Sequence, residues 1–139
     1  MKNKLEIITL SDKFFEEYSG YSEFMKKSKR PYFCLFIELD GLTYAIPLRH
    51  HFKHPFGFHT IGERGLDFSK SIVVKDKGYI SNFVPRIDTK EWKIIRMSAD
   101  DIISQFIIYL RKYKRALMHK DNPRSQYILK YSTLLYFLD

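Results

Sequence analysis

Titratable cations are concentrated in one stretch of the chain, "PLRHHFKHPFGFHT" at residues 47–60. It contains four of the five histidines, together with an arginine, a lysine, two prolines and three phenylalanines. Three kinds of site would use such a composition: a metal site, a solvated basic turn, or a cluster that handles phosphate and protons. The residues with this chemistry are Arg49, His50, His51, Lys53 and His54.

A metal site is disfavoured by the charge of the segment itself. Zinc sites use three or four converging ligands, usually with Cys, Asp or Glu among them, and the nearest carboxylates are Glu63 and Asp67. Arg49 and Lys53 lie inside the cluster, where their fixed positive charges would repel a divalent ion. We therefore expect no metal and no other cofactor. The sequence also lacks a G-x-S-x-G element and a phosphate-cradling glycine loop, so it does not support a nucleophile triad or a nucleotide-hydrolysing fold.

RNA cleavage needs no metal if the ribose 2′-hydroxyl attacks the adjacent phosphate. A base removes the 2′ proton, cations stabilise the charge on the phosphoryl oxygens, and an acid protonates the departing 5′ oxygen. Histidine, with an ordinary pKa of about 6.5, exchanges protons near neutrality, and arginine and lysine supply fixed positive charge. We therefore predict a phosphodiester-cleaving site whose candidate catalytic residues are Arg49, His50, His51, Lys53 and His54.

An excess of basic over acidic residues favours an anionic partner. Lysine and arginine outnumber aspartate and glutamate by 24 to 16, which gives a net charge of +8. Nucleic acid fits this balance better than a membrane surface, which would need a basic helix with a free apolar face. Phe52, Phe56 and Phe58 could stack bases or fill the core under the loop. The candidate RNA-binding cations are Lys29 and Arg30 in a basic segment at 21–31, and Lys112, Lys114 and Arg115 on a predicted helix, where a merely solvated face is the alternative.

Length and composition are typical of one soluble globular domain. The chain has 139 residues, of which 45% are hydrophobic and 17% aromatic, enough for a sizeable core. No apolar run reaches the ~18 residues of a membrane span, and the N-terminus lacks the pattern of a signal peptide. Cys34 lies in the apolar run "YFCLFIEL", where a buried free thiol is expected. We therefore predict a single domain over residues 1–139 in the reducing cytoplasm, without a membrane partner.

Turn and capping signals divide the chain into strands followed by helices. The dipeptide Asp40-Gly41 between two apolar runs is typical of a type I′ hairpin turn. Ser98 and Asp101 approximate a capping box before a long helix, and Pro123 is well placed at the start of a last helix. This order indicates an α+β fold. The predicted strands are 5–10, 32–39, 42–48, 71–75, 79–87 and 91–97, and the predicted helices are 13–20, 99–120 and 124–138.

Three ordered segments resemble the toxins of type III toxin–antitoxin systems. They are "FIELDGLTYAIPLRHHFKH" (36–54), "GLDFSKSIVV" (65–74) and "GYISNFVPRI" (78–87), followed by two C-terminal helices. The chain is similar to the ToxN/AbiQ superfamily and, within it, to the TenpN-like branch. This resemblance implies a strongly twisted antiparallel sheet with flanking helices, similar to the Kid/MazF fold. It also implies a metal-independent endoribonuclease toxin with a role in phage defence.

The resemblance further implies partners and site residues. Toxins of this family cut cellular RNA and their own repeat-containing antitoxin RNA, are inhibited by the folded repeats, and form closed toxin–RNA assemblies. In "GLDFSK" the matching positions are Asp67, Ser69 and Lys70, for which RNA binding and a plain turn at the start of a strand are the two interpretations. Where relatives carry a hydroxyl residue this chain has His50, which can itself carry a proton. A non-catalytic RNA-binding module is the alternative function.

Overall fold

A computed structural model describes residues 5–17, 33–81 and 86–134 of the chain. These residues form one α+β domain in which helices flank a six-stranded antiparallel sheet, as the order of predicted elements indicated. The strands are β1 (Glu6–Thr9), β2 (Phe33–Leu39), β3 (Leu42–Arg49), β4 (Gly57–His59), β5 (Gly65–Asp67) and β6 (Ile72–Val73). The α-helices are α1 (Asp12–Glu17), α2 (Thr89–Met97), α3 (Ala99–Met118) and α4 (Pro123–Tyr131). Lys29 and Arg30 lie outside the described residues.

The hairpin of β2 and β3 forms as predicted. Its two turn residues, Asp40 and Gly41, have φ angles of 49° and 78°, the left-handed conformation that a type I′ turn requires. The two strands pair from Leu39 opposite Leu42 to Cys34 opposite Pro47. This long register makes the hairpin the centre of the sheet and fixes where the loop after β3 begins.

Strand β3 has neighbours on both sides, which determines where its C-terminal end lies. The strand order is β1-β2-β3-β5-β4, and β6 also pairs with β3 through Tyr44 and Ala45. Farther along β3, Arg49 pairs with Gly65 of β5, and β4 pairs with the other side of β5. Residues 50–56 therefore connect two strands that lie on opposite sides of β5. We call this segment the histidine loop.

Helix α3 supplies much of the core on the sheet. The ring of Phe106 packs edge-on against Tyr44 of β3 and Phe68, with centroid distances of 5.2 and 5.3 Å. The apolar spacing predicts a buried stripe of Ile103, Phe106, Ile107, Leu110, Tyr113 and Leu117. Phe106, Leu110 and Tyr113 are buried as expected, whereas the other three are only partly buried. The buried stripe is displaced around the helix at these positions, since Ile102, Tyr109 and Ala116 are buried instead.

Cys34 is buried and forms no disulfide bond, as the apolar run around it predicts. It lies in β2 with none of its surface exposed. Burial in this apolar position raises the pKa of its thiol well above the usual value. The thiol is therefore protonated at neutral pH and is shielded from reagents in solution.

The prediction of a strand at 91–97 is wrong, because this segment belongs to helix α2. The Asp88 carboxylate accepts hydrogen bonds from the backbone N–H groups of Lys90 and Glu91, at 2.8 and 3.3 Å. Such an N-cap stabilises a helix start by about 1 kcal/mol. The buried side chains of α2 are Glu91 and Ile95, four residues apart, which is helical and not strand spacing. The cap was the signal that the sequence prediction missed.

The predicted strand at 79–87 and the end of the last helix also differ from the structure. Residues 77–79 form a short 3₁₀ helix capped by Asp76, and among the described residues of 79–87 only Ile80 forms a β-bridge, with Leu10. Residues 82–85 lie outside the described part of the chain. Helix α4 ends at Tyr131 because the next residues bind elsewhere: Thr133 donates its N–H to the Ser69 carbonyl at 2.8 Å.

The two C-terminal helices, α3 and α4, begin at or within one residue of their predicted starts. Helix α3 begins after Ser98, although the Ser98 side chain makes no capping hydrogen bond, so the predicted capping box does not form. Helix α4 begins at Pro123, and the Asn122 side chain accepts a hydrogen bond from the Arg124 N–H at 2.8 Å.

Within the three described ranges, no helix combines the length and apolar character needed to span a bilayer.

Candidate active site

Asp67 at the end of β5 is the centre of a buried polar network. Its side chain has no exposed surface, and Oδ2 accepts a hydrogen bond from Arg49 Nη1 at 2.7 Å. Oδ1 accepts from the Ser69 hydroxyl at 2.6 Å and from the Ser69 N–H at 3.0 Å. The same oxygen lies 3.1 Å from His54 Nε2. We call these four residues, Arg49, His54, Asp67 and Ser69, the Asp67 network.

The network keeps the Asp67 carboxylate charged. Burial alone raises the pKa of this carboxyl group, but hydrogen bonds from His54, Ser69 and Arg49 outweigh that effect and hold its pKa below the ordinary value. A carboxylate buried with these partners has a fixed position. It therefore fixes the root of the histidine loop at two points, Arg49 before it and His54 within it.

His54 has both ring nitrogens engaged. Nδ1 accepts a hydrogen bond from the backbone N–H of Phe56 at 3.1 Å, so this nitrogen must carry a lone pair. The proton of the neutral imidazole is then on Nε2, which faces Asp67 and lies 3.3 Å from the Ser69 hydroxyl. Only 9% of the side chain is exposed. His54 is thus placed to shape the loop, and neither nitrogen is open to a ligand without breaking one of these bonds.

Close packing between the histidine loop and β4 leaves no room for a side chain at Gly57. A Cβ there would lie 2.6 Å from the Phe52 ring and 2.4 Å from the Leu66 carbonyl oxygen. Phe52 is buried under the loop and stacks on His59, with centroids 4.2 Å apart and an interplanar angle of 15°. Of the two interpretations for the phenylalanines of this segment, core packing is therefore confirmed for Phe52.

Three predicted catalytic residues lie on the outer side of the same loop. His50, His51 and Lys53 are exposed. Within the described residues, neither His50 nor Lys53 makes an ion pair or a side-chain hydrogen bond. His51 pairs through Nδ1 with the Glu63 carboxylate, and 64% of its side chain is exposed. This contact directs the Nδ1 proton of a neutral His51 toward Glu63, which leaves Nε2 as the proton acceptor facing solvent.

Glu63 is held by a tight turn that is itself anchored to α2. The Glu63 carbonyl accepts a hydrogen bond from the Phe52 N–H at 3.1 Å. The neighbouring Arg64 donates to buried Glu91 of α2 at 2.9 Å, and the Thr60 hydroxyl donates to the same carboxylate. The sequence prediction considered Glu63 only as a metal ligand and missed its place beside His51. The contact depends on the turn at 61–64 and has no signal in residue spacing.

Ser69 and Lys70 both have protein partners in the structure. Ser69, like Asp67, has no exposed surface, so its hydroxyl faces protein and not solvent. Lys70 donates to the carbonyl of Tyr131, the last residue of α4, at 3.1 Å. Of the two interpretations given for Asp67 and Ser69, this burial favours the turn at the start of a strand over direct RNA binding. They instead link β5 to the loop.

A cleft of about 710 Å³ opens beside the loop, between α3 and α4. Phe56 is partly buried at its base, 5.3 Å from the Tyr127 ring and 5.6 Å from the His54 ring. Of the three cations predicted on α3, Lys112 and Arg115 line this cleft and Lys114 does not. The sequence prediction missed Tyr127, although its four-residue spacing from Tyr131 on α4 was visible. The lining is Pro55, Phe56, Lys112, Arg115, Ala116, His119, Asn122, Pro123, Arg124, Ser125, Tyr127 and Ile128.

Across residues 5–17, 33–81 and 86–134, no three or more histidine, cysteine or acidic side chains are grouped so that they could hold a metal ion. No protein-family model, no curated protein and no solved structure matches the chain.

Proposed function

We propose that this protein is a metal-independent endoribonuclease that cuts RNA by attack of the ribose 2′-hydroxyl. One observation carries the proposal: a single loop presents His50, His51 and Lys53 to solvent while a buried carboxylate holds its root. The net charge of +8 suits a polyanionic substrate. Rigid support beneath exposed proton-transfer groups is the arrangement that general acid–base catalysis requires.

Arg49 is suited to stabilise the charge that develops on the phosphoryl oxygens. Its guanidinium carries five N–H donors, and the contact with Asp67 involves Nη1. About 30% of the side chain is exposed, so part of the group remains accessible to a phosphate. A cation held in place before the reaction gives more stabilisation than a mobile one, because no reorganisation is needed in the transition state.

The exposed imidazoles and Lys53 would transfer the protons. We assign the base to His51, because the Glu63 carboxylate orients its ring with Nε2 toward solvent. His51 takes the 2′ proton while the 2′ oxygen bonds to phosphorus and the bond from phosphorus to the 5′ oxygen breaks. His50 or Lys53 then gives a proton to the departing 5′ oxygen. The products are a 2′,3′-cyclic phosphate and a 5′-hydroxyl.

Within this proposal His54, Asp67 and Ser69 are positioning residues. They hold the loop by contacts that leave no free nitrogen on His54 and no exposed oxygen on Asp67. Removing any of them would therefore reduce cleavage through the position of Arg49 and the loop. Lys112 and Arg115 would bind RNA phosphates outside the reacting group.

The biological setting that we propose comes from the resemblance to the ToxN/AbiQ superfamily. The protein would be the cytoplasmic toxin of a type III toxin–antitoxin system, with a Kid/MazF-like, strongly twisted sheet and a role in phage defence. Its substrates would be cellular RNA and its own repeat-containing antitoxin RNA. The folded repeats would inhibit it in a closed toxin–RNA assembly. The six-stranded antiparallel sheet with flanking helices is compatible with this fold.

The chemistry of the products tests the proposal. Incubation with RNA in excess chelator should give fragments with 2′,3′-cyclic phosphate and 5′-hydroxyl ends, identified by mass spectrometry. A substrate with deoxyribose at the cut site should bind and remain whole, because it lacks the nucleophile. A metal-activated water would usually leave 5′-phosphate ends, and its activity would be lost with chelator. Binding of RNA without cleavage would favour the non-catalytic RNA-binding module instead.

A further inference from the structure

The cleft between α3 and α4 combines an aromatic base with a basic rim. Phe56 and Tyr127 lie with their ring centroids 5.3 Å apart, and Tyr127 is 46% exposed at the mouth. Lys112, Arg115 and Arg124 line the same cleft. Among the described residues that line it none is acidic, and these three cations form no ion pair with any described residue. The cleft therefore offers stacking surface and unneutralised positive charge together.

We infer that this cleft binds one nucleotide of single-stranded RNA next to the cut, with its base against Tyr127 and its phosphates on Lys112, Arg115 and Arg124. Aromatic side chains interleaved with cations are the usual means of binding single strands, because every base has a face that stacks and every nucleotide carries a phosphate. A volume of about 710 Å³ lies within the range of small-molecule sites. This inference rests on the proposed endoribonuclease function.

The cleft borders the histidine loop at Phe56. The Phe56 N–H donates to His54 Nδ1, and the two rings are 5.6 Å apart. Another cavity of about 170 Å³ shares Pro55, Phe56 and Lys112 with the first. An RNA strand whose phosphate reacts at the histidine loop would thus place a neighbouring base over Phe56 and into the cleft. The cleft would then select single-stranded over paired RNA, because a paired base cannot enter it.

Binding of an uncuttable oligonucleotide isolates the cleft from catalysis. The probe is a short, mixed-sequence, fluorescein-labelled RNA with 2′-O-methyl ribose throughout, which lacks the nucleophile, and the readout is fluorescence anisotropy. We expect Tyr127→Ala to weaken binding about five- to 150-fold, the range for one stacked base. Tyr127→Leu, which keeps apolar contact with Phe56, guards against loss of folding and should weaken binding as well. Tyr127→Phe should bind as the wild type does.

The contribution of the cleft's positive charge can be tested against a matched control residue on α3. Lys112→Ala and Arg115→Ala should each lower the salt slope of binding by about one, the effect of losing one phosphate contact. Lys114→Ala removes the same charge from α3 outside the cleft and should change the slope much less. Equal slopes for the Lys112, Lys114 and Arg115 variants would reduce the cleft to general surface charge and overturn the assignment.

An abasic probe distinguishes stacking from other causes. With bases removed and phosphates kept, Tyr127→Ala should bind as tightly as the wild type, whereas Arg115→Ala should remain weaker. If Tyr127→Ala weakened binding of the abasic probe as much as binding of the probe with bases, the base site would be overturned. The endoribonuclease proposal would be untouched, since it depends on the cleavage products. If a glutamate-rich peptide bound at the cleft and the oligonucleotide did not displace it, the cleft would be assigned to an acidic protein segment. That result would also overturn the inference.

Discussion

The inner and outer sides of the histidine loop carry the same residue type in opposite environments. On the inner side His54 is 9% exposed and bonded at both ring nitrogens, and its partner Asp67 is fully buried. On the outer side His51 is 64% exposed, with Glu63 beside one nitrogen and solvent at the other. The role open to each histidine therefore depends on the groups around its two ring nitrogens. In the function proposed above, the inner side stabilises the fold and the outer side transfers protons.

The outer side should give the largest change. We expect His51→Ala to lower the cleavage rate by ~10²–10⁴, the usual effect of removing a general base or acid. Its unfolding midpoint should remain that of the wild type, because the side chain is mostly exposed. Single-turnover cleavage and urea denaturation of the same preparation measure both quantities. His54→Ala serves as the contrast, since it should lose cleavage and stability together.

Wild-type cleavage by the His50, His51 and His54 alanine variants alike would remove the histidine assignment. A stability loss in His51→Ala as large as in His54→Ala would contradict the division between the two sides of the loop.

The inner side should control stability. Asp67→Ala should lower the free energy of unfolding by about 3 kcal/mol, because it leaves Arg49, His54 and Ser69 without their common partner. Asp76→Ala is the matched control: it also breaks an aspartate–cation pair, but both partners are about half exposed. Its loss should be much smaller. Similar denaturation midpoints for the two variants would show that the Asp67 network does not stabilise the fold.

Acid should weaken the inner side in a defined direction. The pKa of Asp67 is lower in the folded protein than its ordinary value of about 3.9. The unfolded chain therefore binds this proton first, so the contribution of Asp67 is fully present above that value and is lost as pH falls through the lower folded pKa. The difference in unfolding free energy between the wild type and Asp67→Asn should be constant near neutrality and shrink in acid. Denaturation curves from neutral to acidic pH measure it, and a gap that widens in acid would contradict the charged state of Asp67.

Local signals predicted those parts of the fold that depend on neighbouring residues. Asp40-Gly41 placed the hairpin, and Asn122-Pro123 placed the start of α4, because turns and caps are formed by residues close in sequence. The same reasoning missed α2, although Asp88 three residues before Glu91 has the spacing of a cap. The apolar residues of 91–97 suggested a strand. A segment of this length can form either a strand or a short helix, so length did not decide between them.

Local signals could not predict contacts between residues that are distant in sequence. The composition of the loop drew attention to its titratable residues, but it did not predict that Asp67 would hold Arg49 across 18 positions or that His54 would face inward. These contacts exist because β5 pairs beside the end of β3. Tyr127 was missed for a similar reason, since its meaning depends on the packing of α4 against Phe56.

The burial of Cys34 has a practical consequence for spectroscopy. It is the only cysteine in the chain, and it lies in the centre of the sheet with no exposed surface. A maleimide dye or spin label should therefore leave the native protein unmodified, so a cysteine introduced at an exposed position can be labelled without first replacing Cys34. Lys53 and Lys114 are both exposed. Labelled cysteines introduced at these two positions would report the distance between the histidine loop and α3 when RNA is added.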